Sequence, residues 1–395
     1  MSDVRVLLVS NGFGEMSILD CIARAIVRKE PSARLAHMPL VGHLPHDAWP
    51  PPVGPQAEMP SGGLVTYWNV RNIVRDVGAG LVGLTLRQLA FLSRQRGAYD
   101  AVVAVGDVFC AAACLMFVRR PTVFVATAKS EYVAPHSRLE CAIARRARIT
   151  FARDEATAAA LTRAGVRARY VGNVMMDGVA DASASVDLRP DLGAIRATVL
   201  PGSRSDAPAN AQAAIRRLKL IATLGGRRVQ AFVALAPAVA TSAIADAIAR
   251  EGVAIAPTGA ATGIVAKGAD PRIELVVVRG GLGAALLASE IVLGQAGTGN
   301  EQAAGLGRPV LAAAEPGESP QSVGWYRMRQ QKLLGDALLV VPADDGSFAR
   351  AALSLLADPD RMAAMGAAGR ARMGGAGASD AIADATIALA KESSG

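Results

Sequence analysis

Apolar residues occur along the chain in two arrangements, short continuous runs and helical spacings. The run Arg5–Ser10 is apolar and β-branched between its ends, which is typical of a strand buried on both faces of a parallel sheet. After a glycine turn, residues 16–29 repeat apolar positions at helical spacing, with Ile18, Leu19 and Ile22 on one face. The first 29 residues therefore predict a strand, a turn and a helix.

The same alternation continues through the first half of the chain. A Pro/Gly-rich loop at 44–63 and a long mixed segment at 67–95 interrupt it. Apolar runs predict further strands at 34–39, 101–105, 122–126 and 149–152. Strands that alternate with helices in this way indicate a doubly wound parallel sheet.

A second pattern of the same kind follows a small, polar stretch at 181–187, which we interpret as a linker. Its helices are predicted at 210–224, 299–305 and 358–373. Its strands are predicted at 197–200, 229–235, 253–256, 274–278, 291–294, 310–314 and 338–341.

The chain is thus expected to be an α/β protein with two Rossmann-like, doubly wound domains that face each other across a cleft. We place the domains at residues 1–182 and 188–375, and expect residues 376–395 to form a C-terminal helix that packs back on the first domain. In open α/β sheets, ligands bind at the carboxyl ends of the strands.

Composition narrows the class of protein. No apolar stretch reaches the length of about 18 residues that a membrane span requires. The four cysteines form no CxxC pair and are expected to be reduced core residues. These features predict a soluble, cytoplasmic protein.

The net charge of +8, carried mostly by arginine, favours anionic partners, and the 4% aromatic content argues against nucleic acid as a partner.

Several enzyme classes lack their motifs. The chain has no GxxxxGK[ST] loop, no GxSxG elbow and only four histidines, so a P-loop ATPase and a serine hydrolase are disfavoured. The first turn lacks the third glycine of a dinucleotide fingerprint. His43 and His46 could bind a metal, but an ordinary polar loop is the favoured interpretation, and we expect no metal and no cofactor.

Glycine turns at the predicted strand ends remain as candidate sites. In the first turn we select Asn11, Gly12, Gly14 and Glu15, where the backbone can approach a ligand at a helix N-terminus; a plain turn without a ligand is equally compatible.

In the second half, the turn with Gly202, Ser203 and Arg204 offers a guanidinium suited to a phosphate. A third turn adds backbone N–H donors and Glu301, which could accept a hydrogen bond from a sugar hydroxyl or only stabilise a helix N-terminus. The candidate residues of this third turn are Gln295, Gly297, Thr298, Gly299, Asn300 and Glu301. Two such turns in one domain suggest a diphosphate.

These motifs, taken in order, resemble lipid-A-disaccharide synthase and its relatives, glycosyltransferases of the two-Rossmann GT-B type. The resemblance covers nearly the whole chain. It rests on the segments 200–204, 151–155, 170–177, 297–301 and 307–310, with Gln321 in the loop beyond.

The resemblance implies a C-terminal domain that binds a UDP-sugar, with Arg204 and the glycine-rich turn around the diphosphate and an acidic residue near the ribose. It implies an N-terminal domain that binds the acceptor, and no metal. Asp107 stands where the family has a stretch with its proposed catalytic aspartate, although the surrounding residues differ.

The sequence therefore predicts transfer of a hexose or N-acetylhexosamine from UDP to a lipid-linked or other hydrophobic acceptor. Asp107 or Glu15 would be the base, and a helix N-cap is the alternative for Asp107. The alternatives are a UDP-sugar 2-epimerase and a non-catalytic binding protein of sugar nucleotides or lipids.

The segment 69–96 is expected to contact anionic membrane at the inner face of the cytoplasmic membrane. Its apolar residues alternate with arginines, as in interfacial elements. Glycines in the middle predict two short helices or a flap, and a core helix pair is the alternative. The apolar residues are Val70, Val74, Val77, Leu81, Leu84, Leu89 and Leu92, and the basic ones Arg71, Arg75, Arg87, Arg94 and Arg96.

Overall fold

The computed structural model describes residues 3–57, 77–182, 186–315 and 317–394. Contacts within the chain form two units, residues 1–177 with 376–395 and residues 178–375. Each unit is built on one sheet whose central strands carry helices on their flanks. This is the predicted α/β class, with two Rossmann-like units.

The first unit contains a six-stranded parallel sheet in the order β2-β1-β3-β4-β5-β6. Strand β3 is buried at every position, which explains its continuous apolar sequence. The strands are β1 Arg5–Ser10, β2 Arg34–Pro39, β3 Ala101–Gly106, β4 Thr122–Ala126, β5 Ile149–Ala152 and β6 Ala168–Arg169. The short β6 has no apolar run and was not predicted.

Helices connect these strands and cover the sheet. The helices are α1 Phe13–Lys29, α2 Leu81–Arg94, α3 Val108–Ala113, α4 Arg138–Ala144, α5 Glu155–Arg163 and α6 Val174–Ala182. Helix α3 continues into a π-helical turn at Cys114–Val118. Helix α1 begins three residues before its predicted start, because the glycine turn itself enters the helix.

The second unit contains an eight-stranded sheet in the order β14-β13-β12-β7-β8-β11-β10-β9. Its strands are β7 Ile195–Leu200, β8 Val229–Leu235, β9 Ile255–Pro257, β10 Gly263–Ala269, β11 Ile273–Arg279, β12 Ile291–Gly294, β13 Val310–Ala313 and β14 Leu338–Val341. Its helices are α7 Ala207–Gly225, α8 Thr241–Ala249, α9 Leu282–Ala288, α10 Thr298–Gly305, α11 Trp325–Leu334, α12 Asp345–Leu356 and α13 Pro359–Met373.

The expectation of a uniform parallel pattern in this second sheet was wrong at one edge. Strand β10, which was not predicted, pairs antiparallel with β11 and with β9. The sequence signal was weak because β10 contains two glycines and a lysine and is only partly buried. The run predicted at 253–256 became the short edge strand β9.

The last helix, α14 Ala378–Ser394, belongs to the first unit. The Asp177 carboxylate accepts hydrogen bonds from the backbone N–H groups of Gly377 and Ser379, the latter at 2.7 Å. Ion pairs join α14 to the end of α1, including Lys391 with Glu30 at 2.7 Å. A carboxylate 200 residues earlier in the chain thus stabilises the start of this helix.

Candidate functional site

Two neighbouring strands of the first unit end at the candidate acid–base residues. Strands β1 and β3 pair in parallel, with Ser10 opposite Val105, so the turns that follow them are adjacent. Gly106 ends β3 with a φ of +139°, and a Cβ at this position would overlap the side-chain oxygen of Asn11. The absence of a side chain at Gly106 therefore allows Asn11 to lie across the end of β3.

Asp107 is the N-cap of helix α3. Its Oδ1 accepts a hydrogen bond from the backbone N–H of Cys110 at 3.0 Å. Burial raises the pKa of Asp107, and hydrogen bonds from backbone N–H groups and from the Asn11 side chain oppose this shift. A carboxylate with a raised pKa is better matched to proton transfer near neutral pH than an ordinary one. This capping contact does not test the catalytic role of Asp107, which stays a prediction.

Glu15 lies in the first turn of α1, with its carboxylate folded toward Gly12, where a Cβ would overlap it. The pKa of the buried Cys110 thiol is raised well above its ordinary value by its hydrogen bond with Cys114, by burial, and by the charges of Asp107 and Glu15. Both predicted base candidates therefore lie close to the same thiol. The structure brings Asn11, Gly12, Glu15 and Asp107 together, and we call them the carboxylate site.

A buried Ser10–His37 pair links Ser10, the last residue of β1, to the neighbouring strand β2. The Ser10 hydroxyl and His37 Nε2 are 2.8 Å apart. Burial lowers the pKa of His37 to about 4, so the imidazole is neutral at pH 7. Sequence reasoning did not select this pair, because neither residue stands in a recognisable motif.

In the second unit, the two predicted anion turns lie side by side. Strands β7 and β12 pair in parallel, with Leu200 opposite Gly294, and the Gln295 N–H donates to the Leu200 carbonyl at 2.9 Å. Gly202 has a φ of +101°, and its α-carbon faces the Gln295 carbonyl. Ser203 and Arg204 are exposed in this turn, immediately before helix α7.

Two peptide N–H groups of the glycine-rich turn 295–299 point away from the buried side chain that supports the turn. The buried Gln330 side chain donates from Nε2 to the carbonyls of Ala296 and Gly297, at 3.0 and 3.3 Å. In a trans peptide the N–H points opposite to the carbonyl, so the N–H groups of Gly297 and Thr298 point away from Gln330. Together with the start of α10, they form an arrangement that favours an anion.

A buried polar network supports this turn. Arg327 Nη1 donates to Gln330 Oε1 at 2.5 Å, and Arg327 Nη2 donates to Gln295 Oε1. Asn300, which is fully buried, donates from Nδ2 to the Gly294 carbonyl at 3.1 Å and to Gln330 Oε1 at 3.2 Å. We call Gln295, Asn300, Arg327 and Gln330 the amide–guanidinium network.

The remaining predicted residues differ in their surroundings. Asn300 is fully buried and its side chain supports the turn, so its predicted part in substrate binding stays a prediction. Thr298 is exposed, and Glu301 is half-buried in the first turn of α10. Gly14 lies inside α1, and Gln321 is exposed in the loop before α11. Arg327 and Gln330 were missed, because a polar helix such as α11 gives no sign of which side chains are buried.

A cavity of about 300 Å³ opens beside Gln295 in the second unit. Residues from the carboxyl ends of β13 and β14 and from α7 form its walls, among them Asn210, Arg217, Glu315 and Asp345. Its volume is near the lower end of the range of roughly 300–1,000 Å³ that small-molecule pockets occupy.

Within the described parts of the chain, no group of three or more His, Cys, Asp or Glu side chains could hold a metal ion. His43 and His46 have their rings edge to face, with centroids 6.4 Å apart.

The segment predicted to contact a membrane is described only from residue 77 onward. Val70, Val74, Arg71 and Arg75 lie outside the described residues. Leu84 and Leu92 are buried in the core, so the expectation that these two leucines supply apolar surface was wrong. Leu81 and Leu89 are partly buried. The helical repeat places Val82 and Leu86 outward instead, with exposures of 55% and 62%. No helix in the described ranges is long and apolar enough to cross a bilayer.

Neither a protein-family model nor a curated protein matches the chain. Solved structures do match its fold. A candidate UDP-N-acetylglucosamine 2-epimerase from Listeria monocytogenes has a TM-score of 0.59 at 15% identity, covering 99% of this chain and 96% of that one.

The UDP-GlcNAc 2-epimerase of Neisseria meningitidis bound to UDP-GlcNAc has a TM-score of 0.54 at 13% identity, covering 98% of this chain and all (100%) of that one. The glycosyltransferase SnogD from Streptomyces nogalater has a TM-score of 0.53 at 14% identity, with coverages of 98% and 100%. These similarities confirm the GT-B fold.

Proposed function

We propose that this protein is a UDP-sugar enzyme that transfers a hexose or N-acetylhexosamine to a lipid-linked or other hydrophobic acceptor without a metal. The observation that carries the proposal is the pair of adjacent anion turns in the second unit. The Gln295 N–H bonds the Leu200 carbonyl, so the turn of Arg204 and the turn 295–299 border the same space. Two neighbouring turns of this kind suit a diphosphate better than a single phosphate.

The chemistry of transfer divides between two kinds of residue. A carboxylate, Asp107 in this proposal, takes the proton from the acceptor hydroxyl, whose oxygen then forms a bond to the anomeric carbon. The bond from that carbon to the diphosphate oxygen breaks, and UDP leaves with the electron pair. Arg204 and the N–H groups of Gly297 and Thr298 stabilise the negative charge on the diphosphate.

A hydrophobic acceptor is supported by the resemblance to lipid-A-disaccharide synthase and by one surface of the first unit. Val82 and Leu86 are exposed on successive turns of α2, and the exposed Arg87 adjoins them. Apolar side chains beside arginine suit the interface of an anionic membrane. Co-sedimentation with vesicles that contain about a quarter anionic lipid tests this part. Val82→Ser with Leu86→Ser should remain in the supernatant, and Leu192→Ser, an exposed leucine of the second unit, should sediment like the parent.

A UDP-sugar 2-epimerase is the second candidate. It is favoured by the similarity of fold to UDP-N-acetylglucosamine 2-epimerases, one of them bound to UDP-GlcNAc. Epimerisation would need acid–base groups at the sugar, and Glu15 and Asp107 are two such groups close to one thiol. A binding protein without turnover is the remaining alternative.

One incubation distinguishes the three. The protein is mixed with radiolabelled UDP-GlcNAc and a whole-cell lipid extract, and the lipid and nucleotide fractions are separated. Label in the lipid fraction supports transfer. A second labelled UDP-sugar without labelled lipid means an epimerase, and saturable UDP binding with no product means a binding protein. If UDP does not bind at all, the proposal of a UDP-sugar enzyme is wrong.

A further inference from the structure

Arg327 is a buried cation without a carboxylate partner. Its side chain is only 4% exposed, and its guanidinium bonds two neutral amide oxygens, those of Gln295 and Gln330. Among the residues that the structure describes, the recorded partners of the guanidinium are these two amides and no carboxylate, and the Arg327 Nε has no hydrogen-bond partner. A guanidinium buried in this way is unfavourable unless a negative charge compensates it.

The position of Arg327 in its helix adds a second unfavourable contribution. The residue lies in the first turn of α11, which contains no acidic residue. The positive end of a helix dipole disfavours a cation there. Glu315 and Glu318 interact with the guanidinium only at longer range, and burial lowers the pKa of Arg327 despite their charges. Nothing within the described part of the second unit therefore neutralises Arg327 directly.

The two amides that hold Arg327 are connected to the glycine-rich turn. Gln295 is the residue that follows β12, and Gln330 holds the carbonyls of Ala296 and Gly297. The guanidinium is thus separated from the turn backbone by one side chain. Its charge raises the electrostatic potential where the outward N–H groups of Gly297 and Thr298 receive an anion, because a buried charge is weakly screened.

We infer that Arg327 is a positioning and charge-supplying residue for a di- or pyrophosphate group bound at turn 295–299, and that the bound anion is the counter-charge that the protein itself lacks. The inference rests on the proposed function for the identity of the ligand, a UDP-sugar, but its anion site can be tested without the sugar. Arg204 would contact the anion from the solvent side, and Arg327 would act from the protein interior.

Calorimetric titration of the full chain with UDP and with inorganic pyrophosphate tests the inference. Arg327→Gln and Arg327→Met both remove the charge. Two neutral variants are made because the test needs only one of them to fold. Arg327→Lys keeps the charge but loses the forked contact with Gln295 and Gln330. Arg329→Gln removes a charge from the same helix, at a residue that stacks on Trp325, and is the matched control.

We expect the neutral variants to bind UDP and pyrophosphate about 10- to 100-fold more weakly, a loss of about 1.4–2.7 kcal/mol. Arg327→Lys should recover most of the affinity, and Arg329→Gln should stay within about twofold of the parent. The loss at Arg327 should persist at high salt, because a buried charge is poorly screened.

Three results would overturn the inference. The first is that the neutral variants bind both anions with the affinity of the parent. The second is that Arg327→Lys binds as weakly as the neutral variants, which would indicate a structural role only. The third is that the parent binds neither anion. If the parent binds UDP and the neutral variants do too, only this inference fails. If pyrophosphate binds in an Arg327-dependent way and UDP does not bind, the inference stands and the proposed UDP-sugar function fails.

Discussion

The two units use the same steric arrangement at the end of a buried strand and surround it with different chemistry. In the first unit, Asn11 lies where a Cβ of Gly106 would be, and in the second, Asn300 lies where a Cβ of Gly294 would be. In both, a glycine at the strand end lets an amide approach the backbone. The adjoining groups differ, because Asn11 contacts the Asp107 carboxylate and Asn300 belongs to a network around Arg327.

This difference separates acid–base chemistry from anion binding. The carboxylate site of the first unit holds groups that can gain and lose a proton, and burial raises the pKa of Asp107 above that of an ordinary aspartate. The network of the second unit contains amides, which do not ionise, and a guanidinium, which stays protonated at physiological pH. Changes in the first unit should therefore affect turnover and pH dependence, and changes in the second should affect affinity for the nucleotide.

The largest expected effect is on turnover in Asp107→Asn. If Asp107 is the base, the variant should lose about a hundredfold or more in kcat while its UDP affinity is unchanged. The acid limb of the kcat/KM profile of the parent should lie above the pH of about 3.9 typical of aspartate, because burial raises the pKa of Asp107. Activity should fall as pH decreases through that raised pKa. Steady-state kinetics between about pH 4 and pH 9 measure both the loss of kcat and the position of the acid limb.

The control for this prediction is Glu15→Gln, which changes the neighbouring carboxylate. Asparagine can still accept the Cys110 N–H bond, so the cap of α3 is largely kept in Asp107→Asn. Unchanged turnover with a lower melting temperature would mean that Asp107 is only a helix cap. Glu15 would then be the next candidate for the base.

In the second unit, Arg204→Ala should weaken UDP binding by about 2–3 kcal/mol, or roughly 30- to 150-fold, through the loss of charge-assisted hydrogen bonds. Arg204→Lys should recover only part, because lysine cannot form the bidentate contact. Because Arg204 is exposed, its contribution should shrink at high salt, unlike that of Arg327. Calorimetry that finds equal UDP affinity in parent and both variants would remove Arg204 from the site.

The buried His37 should make the stability of the first unit depend on pH. Its pKa is about 4 in the folded chain and about 6.5 when unfolded, so the unfolded state binds more protons between these values. The stabilisation is complete above pH 6.5 or so and is lost as pH falls toward 4, amounting to about 2 kcal/mol between pH 7 and pH 5. Denaturant unfolding of the parent and of His37→Gln at both pH values measures this.

The exposed His46 provides the comparison for that experiment. His46→Gln should keep the pH dependence of the parent, and His37→Gln should lose the part assigned to His37. An equal pH dependence in the parent and in His37→Gln would contradict the assignment to this buried side chain.

The smallest effect is expected for Asp177→Asn, which weakens the contact of α14 with the rest of the first unit. Replacing a carboxylate that accepts two backbone N–H bonds should cost about 1–2 kcal/mol. Hydrogen exchange should increase in residues 378–394, while UDP affinity, which the proposed function assigns to the second unit, should stay the same. Asp187→Asn, an exposed aspartate, is the control. Lower UDP affinity in Asp177→Asn would contradict the assignment of UDP binding to the second unit alone.

Much of the fold could be predicted because buried parallel strands have a strong local signal. Strands β1, β2, β4, β5, β8, β12 and β14 begin and end where their apolar runs do. The glycine turns that follow β1, β7 and β12 could also be placed, because glycine next to a strand end is a local requirement. In this way the sequence determined the α/β class, the order of most elements and the turns that could hold a ligand.

Tertiary structure decided which polar side chains are buried and what they contact. Helix α11 shows no apolar stripe that would indicate Arg327 and Gln330 as interior residues, and their partners lie about 30 residues away. Asn300 could be predicted at the turn, but its orientation into the protein depends on Gly294 and Gln330. The pairing of Asp177 with α14 joins residues 200 positions apart. Such contacts depend on the packing of distant segments, which local patterns of polarity do not encode.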